Sequence, residues 1–511
     1  MKHRYSKIYS ASLAGIDGYL VDVEVDIAGG NPGITIVGLP DAAIKESKER
    51  VRSAISNSGL PFPLRRITVN LAPADIHKEG PIFELSIALG ILFAQSDTIT
   101  IDDTLIIGEL ALDGRVRPVK GVLPITQFAK EADFASIIVP AENAKEAAII
   151  EGIDVYGVEN LTEAIDFIGG KISIKPTVID REALFRRVGE CFVDLSEVKG
   201  QEHAKRALEI GASGGHNIIM LGPPGSGKTM LARRLPTILP PMTLEEALET
   251  TKIHSIVGLL PKGKPLITER PFRSPHHSVS DAGLIGGGQV PKPGEISLAH
   301  NGVLFIDEIP EMDRNVLEAI RQPMEDGNVT ISRAQATYTF PARFTLVASM
   351  NPCPCGYYGS PTKRCTCTPN QIASYRRHIS GPVMDRIDIQ IEVPALEFEK
   401  MTAMGESERS SSIRERVIRA RERQRERFKD LSGIYANSQM TGKLLKEFVK
   451  IDDTSRQLLS KAVDRFGLSA RAYDRILKVA RTIADIEGSE NVSPAHISEA
   501  IQYRVLDRKM L

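Results

Sequence analysis

No apolar run in the 511 residues approaches the roughly eighteen that a membrane-crossing helix requires, so the chain is not expected to span a bilayer. Cysteine is scarce, five in all and unevenly placed. The first residues, MKHRYSKIYSASLAGIDGY, lack the apolar stretch of a secretory signal. Both features point to a reducing compartment, and the cytoplasm is the expected location. An excess of one charge is missing too, since 64 Lys and Arg face 65 Asp and Glu. That balance excludes an overall basic nucleic-acid binder, so any DNA or RNA must be met by a local surface. Internal repeats and long low-complexity segments are absent.

What is present, 42% apolar and 25% charged residues, is the composition of a soluble globular protein. A chain this long exceeds the size at which one core keeps growing, so two to four domains are expected. Over residues 1–170, β-rich runs (Tyr19 to Ile27, Gly33 to Gly38, Arg66 to Leu71) alternate with helical stretches (Asp41 to Asn57, Phe83 to Ala94), which predicts an α/β or α+β domain. Periodicity fades in GGKISIKPTVIDRE, placing a linker over 171–194. Residues 195–432 read as a nucleotide-binding α/β core: a helix from Gln201 to Gly211, then strands at Asn217 to Leu221, Val303 to Ile306 and Phe344 to Ala348. Residues 433–511 read as a helical lid, with helices over Asp453 to Phe466 and Ala470 to Glu487 and a last one capped by Ser493.

The segment Gly222, Pro223, Pro224, Gly225, Ser226, Gly227, Lys228, Thr229 follows an apolar strand and opens a helix, the context that a phosphate-cradling P-loop requires. Glycines let backbone N–H groups turn onto phosphates, Lys228 adds a cation, and the Thr229 hydroxyl can ligate Mg²⁺. Asp307 and Glu308 close the strand VLFI, and ligands of open α/β sheets gather at the carboxyl ends of strands. Asp307 is expected to hold magnesium, and Glu308 to orient or deprotonate the attacking water of ATP hydrolysis. Asn351, after FTLVAS, stands where a neutral polar group could reach the γ-phosphate or that water; the plainer alternative is a turn residue before Pro352.

Together VKGQEHAKRALEIG (Val198 to Gly211), GPPGSGKT, RPFRSPHH (Arg270 to His277), NGVLFIDE, SMNPCPCGYYG, SGPVMDRID (Ser380 to Asp388) and LSARAYDRILKVARTIAD (Leu468 to Asp485) resemble the magnesium-chelatase-like AAA+ family, in particular its ComM/YifB branch. The resemblance runs over nearly the whole chain. It implies an AAA+ ATPase using ATP and Mg²⁺, with Arg386 as the arginine finger offered to a neighbouring subunit and Arg471 as the sensor arginine of the lid. It also implies a homo-hexameric ring and a DNA motor acting in helicase or branch-migration steps on single-stranded or branched DNA. Two segments could face a central channel: the hairpin-like Val329 to Phe340, tipped near Arg333, and GGGQVPKPG (Gly286 to Gly294), carrying Lys292. Such cations would grip phosphates without reading bases, or they are simply solvated.

Cys353, Cys355, Cys365 and Cys367 form two C-x-C pairs in an insertion over 352–368. Four thiolates could close a tetrahedral zinc site, although C-x₂₋₄-C spacing is commoner; free thiols or redox-labile pairs are the alternatives. Cys191, alone, reads as a small buried residue. KEGPIFELSIALGIL (Lys78 to Leu92) and GELALDGRVRPVKGVLP (Gly108 to Pro124) resemble the proteolytic domain of Lon-type proteases. The dyad positions then fall on Ile82 and Leu123, with Ser86 and Lys120 out of register, so the Lon-like domain is expected to lack catalysis. The stretch Ile413 to Asp430, with eight basic residues against four acids, reads first as a solvated helix laced with i,i+4 ion pairs and second as a nucleic-acid face. The fold class expected is thus α/β, a P-loop AAA+ core with a helical lid behind a Lon-protease-like α+β domain. Two rivals to the DNA motor remain at this stage: the ATPase subunit of a magnesium-chelatase-type complex, and an ATP-driven scaffold that remodels proteins.

Overall fold

The computed structural model describes residues 4–76, 78–95, 101–186, 193–288, 290–333, 337–360, 363–395, 407–431 and 433–504. Cys191 lies outside these. The chain forms two compact units, Met1–Arg187 with Ala247–Ile267, and Val188–Glu246 with Thr268–Leu511.

The first unit is built on a seven-stranded mixed sheet in the order Gly33–Val37, Arg66–Ala72, Asp17–Ala28, Arg4–Ala14, Thr104–Ile106, Ser136–Pro140, Asp154–Val158. Arg4–Ala14 and Asp17–Ala28 pair antiparallel along their full length, turning at Gly15 with φ +69°, a conformation that glycine adopts without Cβ strain. The helix Ala42–Asn57 is capped by Asp41, whose carboxylate accepts the Ile44 N–H at 2.7 Å. The helix Glu84–Phe93 is buried on nearly every face. The linker expected over 171–194 is not what residues 171–186 form: the Thr177 N–H donates to Val155 O, and Arg181 pairs with Glu151 at 3.0 Å, so this stretch lies along the first unit. Ile174 and Ile179 also pack against the core of that unit, but with prolines and no regular period the stretch gives no sign of this in the sequence. The same unit also takes in residues 247–267 from within the expected nucleotide-binding segment.

At the positions that match a Ser–Lys dyad the side chains are apolar and buried, Ile82 and Leu123. The nearby alternatives are occupied. The Ser86 hydroxyl donates to Ile106 O at 2.7 Å, and the Lys120 side chain lies over Gly258, where a Cβ would come within 2.6 Å of its Cε. Where a catalytic lysine would sit, the Leu123 N–H and the Ser255 hydroxyl both donate to Glu146 Oε1, at 3.1 and 2.5 Å.

The second unit centres on a five-stranded parallel sheet in the order Phe272–Arg273, Val303–Ile306, Thr345–Met350, Ile218–Leu221, Ile389–Glu392. The strands Ile218–Leu221 and Val303–Ile306 are fully apolar, and Thr345–Met350 is apolar apart from Thr345 and Ser349, as expected for a parallel sheet covered on both faces. The C-terminal helices Asp453–Phe466, Ala470–Glu487 and Pro494–Gln502 stand where the sequence places them, the last with a Ser493 capping box. They share one apolar core with the helix Glu202–Gly214: Ile476, Val479, Ala480 and Ile483 pack in the same cluster as Ala204, Ala207 and Leu208.

The helix Ser410–Phe428 departs from its expected character. It is not a solvated helix with internal ion pairs, because Ile413, Val417, Ala420, Gln424 and Phe428 form a buried stripe. Its arginines reach other elements: Arg416 to Glu209 at 2.5 Å, Arg427 to Asp485, Arg421 to Ala212 O. A stripe one residue wide with Ala and Gln as two of its members is easily missed beneath eight cations.

A buried polar cluster joins this core to the lid. Asp388, at the head of the strand Ile389–Glu392, pairs with Arg475 and with His216 Nδ1 at 3.2 Å, and His216 Nε2 meets the Thr482 hydroxyl at 2.8 Å. Burial pushes the Asp388 carboxyl up, but the Arg475 guanidinium and His216 outweigh it and hold the group well below the usual carboxylate range. Asp388→Ala leaves Arg475 without its partner, and a loss of about 3–5 kcal/mol is expected, the range for a buried pair deprived of one member. Chemical denaturation of the purified variant checks this, and a loss under about 1 kcal/mol would remove the pair from the account of stability.

Candidate nucleotide site

Three adjacent strands of the parallel sheet deliver the expected residues to one edge. Ile218–Leu221 runs into Gly222, Val303–Ile306 into Asp307 and Glu308, and Thr345–Met350 into Asn351. Together they line a cleft of about 400 Å³ bounded by Pro224 to Met230, Asp307, Glu308 and Asn351. Gly225 and Gly227 have φ of +76° and +88°, the left-handed region in which a side chain is strained. At Gly222 the reason for glycine differs: a Cβ would fall 2.2 Å from Val393 O on the neighbouring strand.

Lys228 opens the helix Lys228–Ile238, so the cleft faces the positive end of its dipole and its unpaired N–H groups. The buried ammonium donates to Gly222 O at 2.8 Å, Pro223 O at 2.9 Å and Asn351 Oδ1 at 3.3 Å. Burial pulls its pKa down while Asp307 and Glu308 oppose that shift. The Asn351 amide in turn donates to Glu308 Oε1 at 3.1 Å, so one neutral side chain spans the cation and the acid. The Thr229 hydroxyl donates to Asp307 Oδ2 at 2.9 Å. A hydroxyl and a carboxylate side by side are the hard oxygen donors that Mg²⁺ prefers, and the Ser226 hydroxyl is buried in the loop without a partner. Glu308 has φ +51°. A non-glycine residue persists there only when its surroundings impose it, and the Ser349 hydroxyl accepting the Glu308 N–H at 3.2 Å does so.

Three supporting residues escaped the sequence reading. Ser349 also donates to Asp307, fixing both acids from the adjacent strand; a lone hydroxyl in an otherwise apolar strand end was the available signal. Gln201, itself left-handed at φ +61°, donates to Ser226 O at 2.7 Å behind the P-loop. Tyr375 on the helix Pro369–Arg377 lies close to Asn351, and burial together with Glu311 raises its pKa.

Arg386 and Arg471 are not among the described residues lining the cleft. Arg386 is turned inward, paired with Glu325 and bonded to Pro382 O at 2.6 Å. Its pKa is lowered by burial and by Arg321, Arg471 and Arg475 around it. Arg471 is exposed and pairs with Asp385 at 2.9 Å.

Elsewhere in the same unit, two separate segments meet. Lys292 lies opposite Gly287 in a two-stranded pairing, and Arg333 follows the strand Asn328–Ser332. A Cβ on Gly287 would lie 3.3 Å from Arg333 Nη2, so the Arg333 guanidinium reaches the backbone that pairs with Lys292, and both residues are exposed. The four sulfurs of Cys353, Cys355, Cys365 and Cys367 lie within 4.8 Å of one another.

Models of the magnesium chelatase subunit ChlI match residues 194–401 and 23–143, and a model of the ChlI C-terminal region matches residues 407–504. Competence protein ComM of Haemophilus influenzae is 45% identical over 505 residues, covering 98% of this chain and 97% of its own length. YifB of Escherichia coli is 43% identical over 515 residues, covering 99% and 98%. The chain belongs to the ComM/YifB family of magnesium-chelatase-like AAA+ ATPases. Lon protease 2 of Bacillus subtilis is 28% identical over 169 residues, 30% of each chain, in keeping with a Lon-like fold in front of the AAA+ core. ComM/YifB membership carries ATP and Mg²⁺ with it; the oxygens of Thr229 and Asp307 fit the metal, and Lys228 at the helix N-terminus fits the phosphates. Among the described residues, no helix is long and apolar enough to cross a membrane.

Proposed function

We propose that this ComM/YifB-family chain is a hexameric motor that couples ATP hydrolysis to movement on DNA, in helicase or branch-migration steps. The approach of Arg333 to the glycine-rich segment that carries Lys292 supports the DNA part of the reading: exposed cations from two distant segments offer a grip for phosphates. The name of its relative, a competence protein, supports a DNA substrate. In the nucleotide site, Lys228 and the P-loop amides hold the phosphates, Thr229 and Asp307 hold Mg²⁺, which supplies charge neutralisation at the transferring phosphoryl, and Glu308 takes the proton of the attacking water. Asn351 orients that water between Lys228 and Glu308. The cleft has no arginine among its described lining, so a finger supplied by a neighbouring subunit would complete it, with a ring as the active form.

The DNA reading is tested by Lys292→Ala with Arg333→Ala. Lower affinity is expected, together with a salt slope of log K shallower by about one unit for each phosphate that is no longer neutralised. Titration of labelled single-stranded and branched DNA at several salt concentrations measures both, and an unchanged slope would remove the two residues from the interface.

The four-cysteine loop is proposed to hold zinc as a structural ion. Sγ separations of 3.7 Å (Cys353 to Cys365) and 3.6 Å (Cys355 to Cys365) approach the edge of about 3.8 Å that a tetrahedron with bonds of about 2.3 Å requires, while Cys353 and Cys355, at 3.3 Å, would have to open slightly. Backbone N–H groups of Cys355, Tyr358 and Cys367 point at the sulfurs, as suits thiolates. Elemental analysis of protein purified under reducing conditions should find about one metal per chain; none would remove the zinc.

A further inference from the structure

The cysteine loop is attached at three points to the nucleotide cleft. Its entry limb leaves from Asn351, the residue spanning Lys228 and Glu308, and reaches Cys353 after one proline. Its middle lies against the P-loop: a Cβ on Gly356 would fall 2.6 Å from Pro224 Cδ and 2.7 Å from Cγ. Gly356 also has φ +83°, so both the close approach and the backbone conformation call for glycine. Its exit limb runs through Cys365 and Cys367 into the helix Pro369–Arg377, begun by a Thr368 capping box. That helix returns to the entry limb, where Arg376 donates to Pro352 O at 3.3 Å and stacks over Tyr358, and Tyr375 lies close to Asn351.

We propose that the metal-loaded cysteine loop is a positioning device for hydrolysis, which presses on Pro224 and fixes Asn351 so that metal occupancy sets the turnover of ATP more than its binding. The inference rests on the zinc reading above. A metal on two cysteines from each limb joins the strand that ends at Asn351 to the helix that carries Tyr375 and Arg376. Without that junction, the two limbs are held to each other only by the contacts of Arg376 with Pro352 O and Tyr358, and Asn351 loses one of its restraints. Asn351 acts on a water or phosphate oxygen at hydrogen-bond range, where displacement of a catalytic group by about 1 Å can lower the rate on the order of 10²-fold. ATP affinity comes chiefly from the P-loop amides and Lys228, whose backbone anchors lie in Gly222 and Pro223, outside the loop.

The test uses full-length protein with three readouts: bound metal, affinity for a fluorescent ATP analogue, and kcat. Gly356→Ala keeps all four thiols but forces the loop away from Pro224. It should retain about one metal per chain, bind the analogue within about threefold of wild type, and lose kcat by about 10- to 100-fold. Wild-type protein stripped by a chelator under reducing conditions should show the same split, and added Zn²⁺ should restore kcat. Metal present in the wild type with kcat unchanged in both preparations would overturn the inference alone. Parallel loss of kcat and nucleotide binding would also overturn it, as a merely structural role would produce. Absence of metal from the wild type would overturn the zinc reading and this inference with it. Should Gly356→Ala fail to fold, the chelation and Zn²⁺ add-back on wild type decides between these outcomes.

Discussion

Lys228→Ala should abolish most ATP turnover, and Glu308→Gln should leave ATP bound and unhydrolysed. The two differ because of what each side chain holds. Lys228 is buried and fixed by Gly222 O, Pro223 O and Asn351, so its removal takes away the cation on the phosphates and unpins Asn351 as well. Affinity and rate should fall together, the rate on the order of 10²-fold or more, as when a preorganised electrostatic contact is deleted. Glu308→Gln keeps an oxygen that can still accept from the Asn351 amide, so the cleft retains its geometry. It removes only the group that takes a proton, a contribution on the order of 10²–10⁴-fold. Equilibrium binding should change by less than about threefold while kcat falls through that range. Unchanged turnover in the glutamine variant would sink the assignment of Glu308.

Arg386→Ala should lower turnover at saturating ATP on the order of 10³-fold or more, the effect of withholding an arginine finger from phosphoryl transfer. In the chain as it stands Arg386 pairs with Glu325 instead of facing its own cleft. To act in trans it must exchange that carboxylate for a phosphate. Mixing provides the decisive comparison. Arg386→Ala chains and Glu308→Gln chains are each nearly inactive alone, but co-assembled they form some interfaces in which an intact Glu308 meets an intact Arg386. Partial recovery is expected, greatest at intermediate ratios. If both residues completed a site within one chain, every site in the mixture would lack one of them and none could recover. A mixture shown to co-assemble that stays at the level of the separate variants argues against a finger in trans, provided that wild-type chains titrated with either variant show partial rings to be active.

The elements whose residues repeat with a strong period or end in unmistakable chemistry were legible in the sequence. The strand Val303–Ile306 and the helices Asp453–Phe466 and Ala470–Glu487 fall where expected, and Lys228, Thr229, Asp307, Glu308 and Asn351 meet in one cleft. Short elements held by their neighbours were not. Phe272–Arg273 spans two residues and Ile389–Glu392 four, too few for any periodicity to register, yet both extend the central sheet. The assignment of residues 247–267 to the first unit was invisible for another reason. It depends on single polar contacts such as that of Ser255 with Glu146, over 100 residues away in sequence. The burial of the helix Ser410–Phe428 was hidden by composition: its arginines serve partners on other helices, and only the spacing of Ile413, Val417, Ala420, Gln424 and Phe428 betrays the stripe.

Coupling of ATP hydrolysis to DNA is read out by the steady-state ATPase rate of the assembled wild-type protein with and without single-stranded and branched DNA. Glu308→Gln serves as the background. DNA should raise the wild-type rate, with salt weakening the response, because phosphates held by Lys292 and Arg333 are released as salt rises. A wild-type rate that exceeds the Glu308→Gln background yet does not change with any DNA, at low salt and saturating ATP, would contradict the coupling.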